Sequence, residues 1–438
     1  MKRLTYGLDN FEFELLKLYN RGSYPAEIED SVRDIIAEVR RDGDKALVKF
    51  AKKFDHADLT PDRFLVTPEE VEESIASVCA EDRRAIDVAL AHVMDFSRQR
   101  IPQKWEYNPR PGVTLGEKFE PLDRVGVYIP GGTASLVSTV IHTAGIARAA
   151  GVKEIVAVSP PNAEGKIAPA VLYAMKQAGV SEIYRLGGVY AIAALAYGTD
   201  TIDKVEKIVG PGNAYVTAAK KLVYGEVAID MIAGPSEILI IADHNAPVEL
   251  VAADVLSQAE HGSGLEQAVV ISDSAEFLDK VESAVNEQKQ RLPRQATVDK
   301  VLANGTFLIE VPTMDMAAVI AGNYAPEHLE VMCASPREIA MKIKAAGAIF
   351  IGPWTPEPVG DFCAGPSHVL PTGGSARFFS GLTVEGFFRR TSLVQYTHDA
   401  IEPEIETIER IAALEGLMAH GLSGTRRRDS SGNGKQEL

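Results

Sequence analysis

Apolar residues recur at helical spacing through the first hundred or so positions of the chain. Val32, Ile35, Ile36 and Val39 fall on one face of a 3.6-residue repeat. Asp42-Gly43-Asp44 then breaks that repeat, and Ala46, Leu47, Phe50 and Phe54 carry the face into a second helix. Thr67-Pro68-Glu69-Glu70 has the form of a capping box with proline at the first helical position, and a further helix is predicted over 82–99. The run Asn108-Pro109-Arg110-Pro111-Gly112 predicts a loop that closes the region.

From Arg124 the texture changes to short apolar runs alternating with helices. Positions 125–129, 154–158, 182–186, 205–209 and 226–232 read as strands, with a sharp Pro130-Gly131-Gly132 turn and a helix over 136–150 after the first. A second set of strands is predicted at 236–243, 268–272, 306–311 and 348–351. The alternation predicts an α/β chain with two similar Rossmann-like parallel-sheet domains, the N-terminal helices packing on the second. Past Gly381 the sheet pattern stops, and 404–419 is predicted as an acidic amphipathic helix with Pro403 as its start signal. The expected division is an N-terminal extension (1–24), an α/β domain made of 25–127 and 237–381 that carries most of the chemistry, a Rossmann-like domain (128–236), and a C-terminal helical extension (382–438).

A chain of 438 residues with 46% hydrophobic content is long enough for two large cores. With 61 acidic against 45 basic residues the net charge is −16, so the surface field repels phosphate backbones and argues against nucleic-acid binding. The one dense basic run, Arg426-Arg427-Arg428, lies in a Ser/Gly-rich terminal segment that reads as a disordered tail. Cys79, Cys333 and Cys363 match no Cys-x-x-Cys spacing, which points to a reducing compartment. No apolar run approaches the roughly 18 residues a membrane span needs, and no signal-peptide core is present, so a cytoplasmic protein without membrane association is expected.

The most chemically loaded segment is Tyr324-Ala325-Pro326-Glu327-His328-Leu329, which sets a carboxylate beside an imidazole in a proline-stiffened loop, a pairing suited to proton transfer and water activation. Gln258-Ala259-Glu260-His261 and the combination of Asp361 with His368 add to it. Any one of these alone is explained by a hydrogen-bonded polar residue at the core margin; together they resemble a dispersed metal and acid/base site. Gln258 and His261, three apart in a predicted helix, project from one face, and Asp361 is able to complete a metal site with them, although the residues alone rank Glu260 above Gln258 as a ligand. Gly131-Gly132 and Gly210-Pro211-Gly212-Asn213 each offer backbone N–H groups to a phosphate, but neither is the G-x-G-x-x-G fingerprint. His56, His92, His244 and His398 sit in polar, surface-like contexts, and the context of His142 is ambiguous.

Six strings carry a resemblance: Tyr128-Ile129-Pro130-Gly131-Gly132, Gly210-Pro211-Gly212-Asn213-Ala214-Tyr215-Val216, Ala233-Gly234-Pro235-Ser236-Glu237, Gln258-Ala259-Glu260-His261-Gly262, Pro326-Glu327-His328-Leu329 and His368-Val369-Leu370-Pro371-Thr372. Over about 32–420 the chain resembles the histidinol dehydrogenases. That resemblance implies oxidation of L-histidinol to L-histidine, the last step of histidine biosynthesis, with two NAD and one zinc per subunit. It implies zinc ligands Gln258, His261, Asp361 and His420, and substrate contacts from Ser236, Gln258, His261, His328, Asp361, Glu415 and His420. NAD contacts fall on Tyr128, Tyr190 and Asn213. It also implies a homodimer in which Glu415 and His420 serve the partner's site. Within this frame His328 takes the hydroxyl proton as hydride leaves, and Glu327 activates the water that adds to the bound aldehyde.

Two positions depart from the resemblance. Tyr190 stands where the family's usual glutamine falls, and Ser367 where the family often has asparagine. The first leaves open a paralogue acting on another small alcohol. A non-catalytic two-domain ligand-binding protein is the reading from a different class.

Overall fold

The computed structural model describes residues 1–21, 27–131, 136–261 and 264–429. Gly132, Gly262 and the tail 430–438 lie outside the described residues. The chain divides into two compact units, Met1–Arg100 with Leu122–Phe387, and Ile101–Pro121 with Phe388–Leu438. In chain order the strands are β1 (Lys2–Thr5), β2 (Trp105–Arg110), β3 (Val113–Pro121), β4 (Arg124–Tyr128), β5 (Glu154–Val158), β6 (Glu182–Tyr184), β7 (Lys207–Val209) and β8 (Ala228–Ile229). They continue with β9 (Glu237–Ala242), β10 (Gln267–Ser272), β11 (Thr306–Glu310), β12 (His328–Met332), β13 (Ala348–Ile351) and β14 (Phe388–Tyr396).

The first unit holds two parallel sheets. One has the order β6-β5-β4-β7-β8. Helices cover its faces, which is why its strands read as unbroken apolar runs. Strand order reverses at β4, so the C-terminal ends of β4 and β7 open the crevice where ligands of such sheets bind. The N-terminal helices pack here: Val32, Ile36, Val39, Leu47 and Phe50 share one core with Val156, Val158, Ile192, Leu195 and Val216. The expected packing of these helices on the second sheet is therefore corrected. Their apolar faces match the surface presented by the helices Gly188–Tyr197 and Ala214–Val223.

The other sheet has the order β1-β11-β10-β9-β12-β13, all parallel. Successive residues of β9 alternate between two cores, Leu239 and Ile241 on one side, Ile238 and Ile240 on the other. Two expectations fail here. The expected N-terminal extension begins with a strand of this sheet, since β1 pairs with β11 from Lys2↔Phe307 to Thr5↔Glu310. And His328, expected in a loop, opens β12, a strand between β9 and β13 whose five residues are all buried.

The second unit is an antiparallel sheet, β14-β3-β2, with helices His398–Leu414 and Met418–Asp429. The predicted loop at 108–112 is thus part of a hairpin, sheet structure continues past Gly381, and Arg426–Arg428 lie in a helix rather than a disordered segment. β2 and β14 are largely exposed and lack the apolar run that marks a buried strand, so the pattern hid them. Pro403 lies inside the first helix instead of starting it. It is near enough to the N-terminus to forfeit one backbone hydrogen bond without ending the helix.

Candidate active site

Glu327 and His328 sit at the N-terminal edge of the six-stranded sheet, not in the C-terminal crevice where ligands of open α/β sheets usually bind. Glu237 is the first residue of β9 and His328 the first of β12, and they are neighbours through the pairing His328↔Ile238. The Glu237 backbone holds both members of the pair: its N–H donates to Glu327 Oε2 at 2.9 Å, and its carbonyl oxygen lies 3.1 Å from His328 Nδ1. A carbonyl only accepts, so Nδ1 carries a proton, and the other ring nitrogen, Nε2, faces away from the β9 backbone. His328 Nε2 has no hydrogen-bond partner among the described residues and lies 3.5 Å from Asp361 Oδ1. Glu327 Oε2 is 3.8 Å from Nδ1.

The helix Val248–Ala259 follows β9 and returns toward the same edge, which brings Gln258 and His261 to it. His261 lies just beyond the helix end and not within the helix as expected, its Nδ1 3.3 Å from the Ser257 carbonyl. Gln258 is fully buried, and neither amide atom has a hydrogen-bond partner among the described residues. The short helix Glu357–Phe362, after β13, carries Asp361 and Glu357 one turn apart. One ligand atom each of His261, Glu357 and Asp361 lies within 4.8 Å of the others. Glu357, which sequence reasoning missed, accepts from the Ser257 hydroxyl at 2.9 Å and donates its N–H to Glu330 at 2.7 Å. Its i, i+4 spacing to Asp361 was the available signal.

Charge is concentrated here. Burial would lower the His328 pKa, but Glu327 and Asp361 outweigh it and raise the value to about 10. Burial raises Glu327 to about 7 against the opposing pull of His328. Asp361, which burial would raise, is held below the usual carboxylate range by His328 and His368, while Glu357 is pushed up to about 7 by burial and by Asp361. An unsatisfied amide oxygen, an imidazole and clustered carboxylates form a mixed N and O donor set, and a divalent cation would offset the field that raises His328. The residues present fit zinc.

The remaining candidates are dispersed. Ser236, half-buried, immediately precedes β9. His368 stacks on the buried His142 with ring centroids 4.5 Å apart, and burial pushes His142 down to about 3. Ser367 donates its hydroxyl hydrogen to the His142 carbonyl. At the crevice of the five-stranded sheet, Tyr128 is 4% exposed and its hydroxyl accepts from the Gly188 N–H at 3.1 Å. Asn213 is exposed and caps the helix Ala214–Val223 through its own Oδ1. Gly210 adopts φ +121°, and a Cβ there would meet the Tyr128 carbonyl oxygen at 2.3 Å. Tyr190 has no exposed surface: its hydroxyl donates to Asp55 Oδ2 and accepts from the Gly187 N–H, and its ring packs 6.0 Å from Phe50. It offers no face for a nucleotide to stack on. Glu415 and His420 are exposed residues of the second unit.

The sequence model of the histidinol dehydrogenase family matches residues 20–428. The chain belongs to the histidinol dehydrogenase family. Among relatives, it is 47% identical over 395 residues to the histidinol dehydrogenase of Gloeobacter violaceus, covering 90% of this chain and 88% of that one. To the histidinol dehydrogenase of Bacillus subtilis it is 44% identical over 393 residues, covering 90% and 91%. The crystal structure of histidinol dehydrogenase from Elizabethkingia anophelis superposes with a TM-score of 0.93 at 35% identity, covering 99% of each chain. Family membership confirms the α/β fold read from the strand pattern and sets aside the non-catalytic reading. No helix among the described residues is long and apolar enough to cross a membrane.

Proposed function

We propose that this chain, a member of an NAD-dependent oxidoreductase family, oxidises L-histidinol to L-histidine in two steps at one site, with the aldehyde retained between them. The observation that supports the reading most is the Glu327–His328 pair, oriented by one backbone unit beside the Gln258, His261 and Asp361 donors. These three would hold zinc, with His420 and Glu415 contributed by a second copy of the chain in a homodimer. When bound, zinc supplies Lewis-acid binding of the substrate's nitrogen atoms and NAD accepts one hydride in each step.

The chain's own residues handle protons and position. In the first step His328 Nε2 accepts the proton of the alcohol hydroxyl as the hydride leaves its carbon, giving aldehyde. In the second, Glu327 takes a proton from the water that adds to the aldehyde carbon, loss of a second hydride from that hydrate leaves the carboxylic acid, and the acid releases its own proton to solvent as the carboxylate. Burial of both groups excludes bulk water, and the raised Glu327 pKa places its proton exchange near neutrality. Ser236, beside β9, is a further candidate to touch substrate. Cofactor contact is proposed for Tyr128 and Asn213 at the crevice of the five-stranded sheet, and Tyr190 is left out because no part of it reaches the surface and its hydroxyl is taken by Asp55 and the Gly187 N–H.

The test is NAD reduction by the zinc-loaded protein with histidinol and with a panel of other small primary alcohols. Preference for histidinol by kcat/KM supports the reading; preference for another alcohol replaces it with a paralogous dehydrogenase.

A further inference from the structure

Arg21 belongs to none of the motifs, yet its guanidinium touches both segments that deliver the acid/base pair. It grips the Glu237 carboxylate with two nitrogens, Nε at 2.8 Å and Nη2 at 3.1 Å, and Nη2 also donates to the Tyr324 carbonyl at 2.8 Å. Its plane lies over the Tyr324 ring, 3.5 Å from the centroid. Both side chains of the ion pair are almost fully buried, at 5% and 4% exposed. The Gly373 N–H donates to the same Glu237 carboxylate at 2.8 Å.

The consequence follows from what these partners do. Glu237 is the residue whose backbone N–H and carbonyl hold Glu327 and His328. Tyr324 ends the helix that precedes the pair, and the next residue, Ala325, turns the chain with φ +52°, a left-handed conformation that a residue with a Cβ keeps only when its surroundings enforce it. One guanidinium therefore fixes the start of β9 and the turn into β12 relative to each other.

We propose that Arg21 is a positioning residue for the Glu327–His328 pair, acting through the Glu237 carboxylate and the Tyr324 carbonyl. The proposal rests on the acid/base roles given to that pair above. The fork geometry is essential to it, since a lysine ammonium, a point charge, cannot span two carboxylate oxygens and a carbonyl in one plane.

The test is Arg21→Lys in the zinc-loaded, full-length enzyme. A misplacement near 1 Å costs up to about a hundredfold in rate, so kcat should fall by about ten- to a hundredfold for both the alcohol and the aldehyde. KM for histidinol and NAD, zinc content and the folded fraction should stay within about twofold of wild type. Guanidinium ion should restore part of the kcat lost in Arg21→Ala, with urea at the same concentration as control. Should the single variants fail to fold, Arg21→Met combined with Glu237→Met removes the pair without leaving a buried charge, and the same kcat loss is expected. Wild-type kcat in Arg21→Lys or in the double variant, or a loss accounted for by unfolded protein, overturns the proposal. Glu327→Gln and His328→Asn run alongside separate the two claims. If they are impaired while Arg21→Lys is not, the positioning role alone falls; if they turn over normally, the acid/base reading falls and the positioning role with it.

Discussion

Replacing Tyr190 by phenylalanine isolates one hydroxyl in the core of the five-stranded domain. The ring keeps its place beside Phe50, so the packing contribution is unchanged to first order. What is lost is the hydrogen bond donated to the Asp55 carboxylate and the one accepted from the Gly187 N–H. A hydrogen bond to a charged group is worth about 1.5–3 kcal/mol, and a buried N–H left without a partner costs about 1–3 kcal/mol. Asp55 is only half-buried and recovers part of its loss from water, so the net destabilisation should be about 2–4 kcal/mol. Urea unfolding followed by fluorescence should show a lower midpoint with an unchanged slope. Steady-state kinetics on the same preparation should give a KM for NAD within about twofold of wild type, because no part of the ring reaches the surface. A KM for NAD that rises several-fold in a protein of unchanged stability would show that the cofactor reaches Tyr190, and the core assignment would be wrong.

Three further outcomes are expected. Glu327→Gln should slow oxidation of the aldehyde by about 10²–10⁴-fold and oxidation of the alcohol much less, since only the second step consumes water; equal losses would refute the division of labour. Burial raises the Asp55 pKa, so the folded state keeps that proton longer than the unfolded chain does; its stabilisation is complete below the unfolded value of about 3.9 and is lost as pH rises through the folded value. The stability of wild type relative to Asp55→Asn should therefore decline as pH rises from about 4, and a pH-independent difference in thermal midpoint would contradict this. Mixing His261→Asn with His420→Asn and allowing subunit exchange should restore about a quarter of wild-type activity, because half the dimers are hybrids with one intact site; no activity after demonstrated exchange would refute a shared site.

The buried parallel strands were legible in the sequence because both faces are covered: 154–158 was read with the boundaries the structure shows, and 268–272 within one residue of them. β1 escaped because Lys2-Arg3-Leu4-Thr5 is a short edge strand with half its residues exposed. β12 escaped because it opens on His328 and carries Glu330 at its centre, polar residues that break the apolar run although the structure buries both. The same holds for the site. Glu327, His328, His261 and Asp361 stood out by residue type, and Gln258 only through the family resemblance, whereas Glu357 lay hidden between two prolines, and the roles of the Glu237 backbone and Arg21 exist only once β9 and β12 are side by side.

The central claim, that one site bearing zinc and the Glu327–His328 pair carries histidinol through both oxidations, is tested most directly by stoichiometry. Limiting histidinol is consumed with excess NAD, and NADH, histidine and free aldehyde are each quantified, in zinc-loaded and in metal-stripped protein. The account predicts two NADH per histidinol, histidine as the product, no aldehyde captured by an added carbonyl trap, and no turnover without metal. One NADH per histidinol with aldehyde released to the trap, or full turnover in metal-free protein, would contradict it.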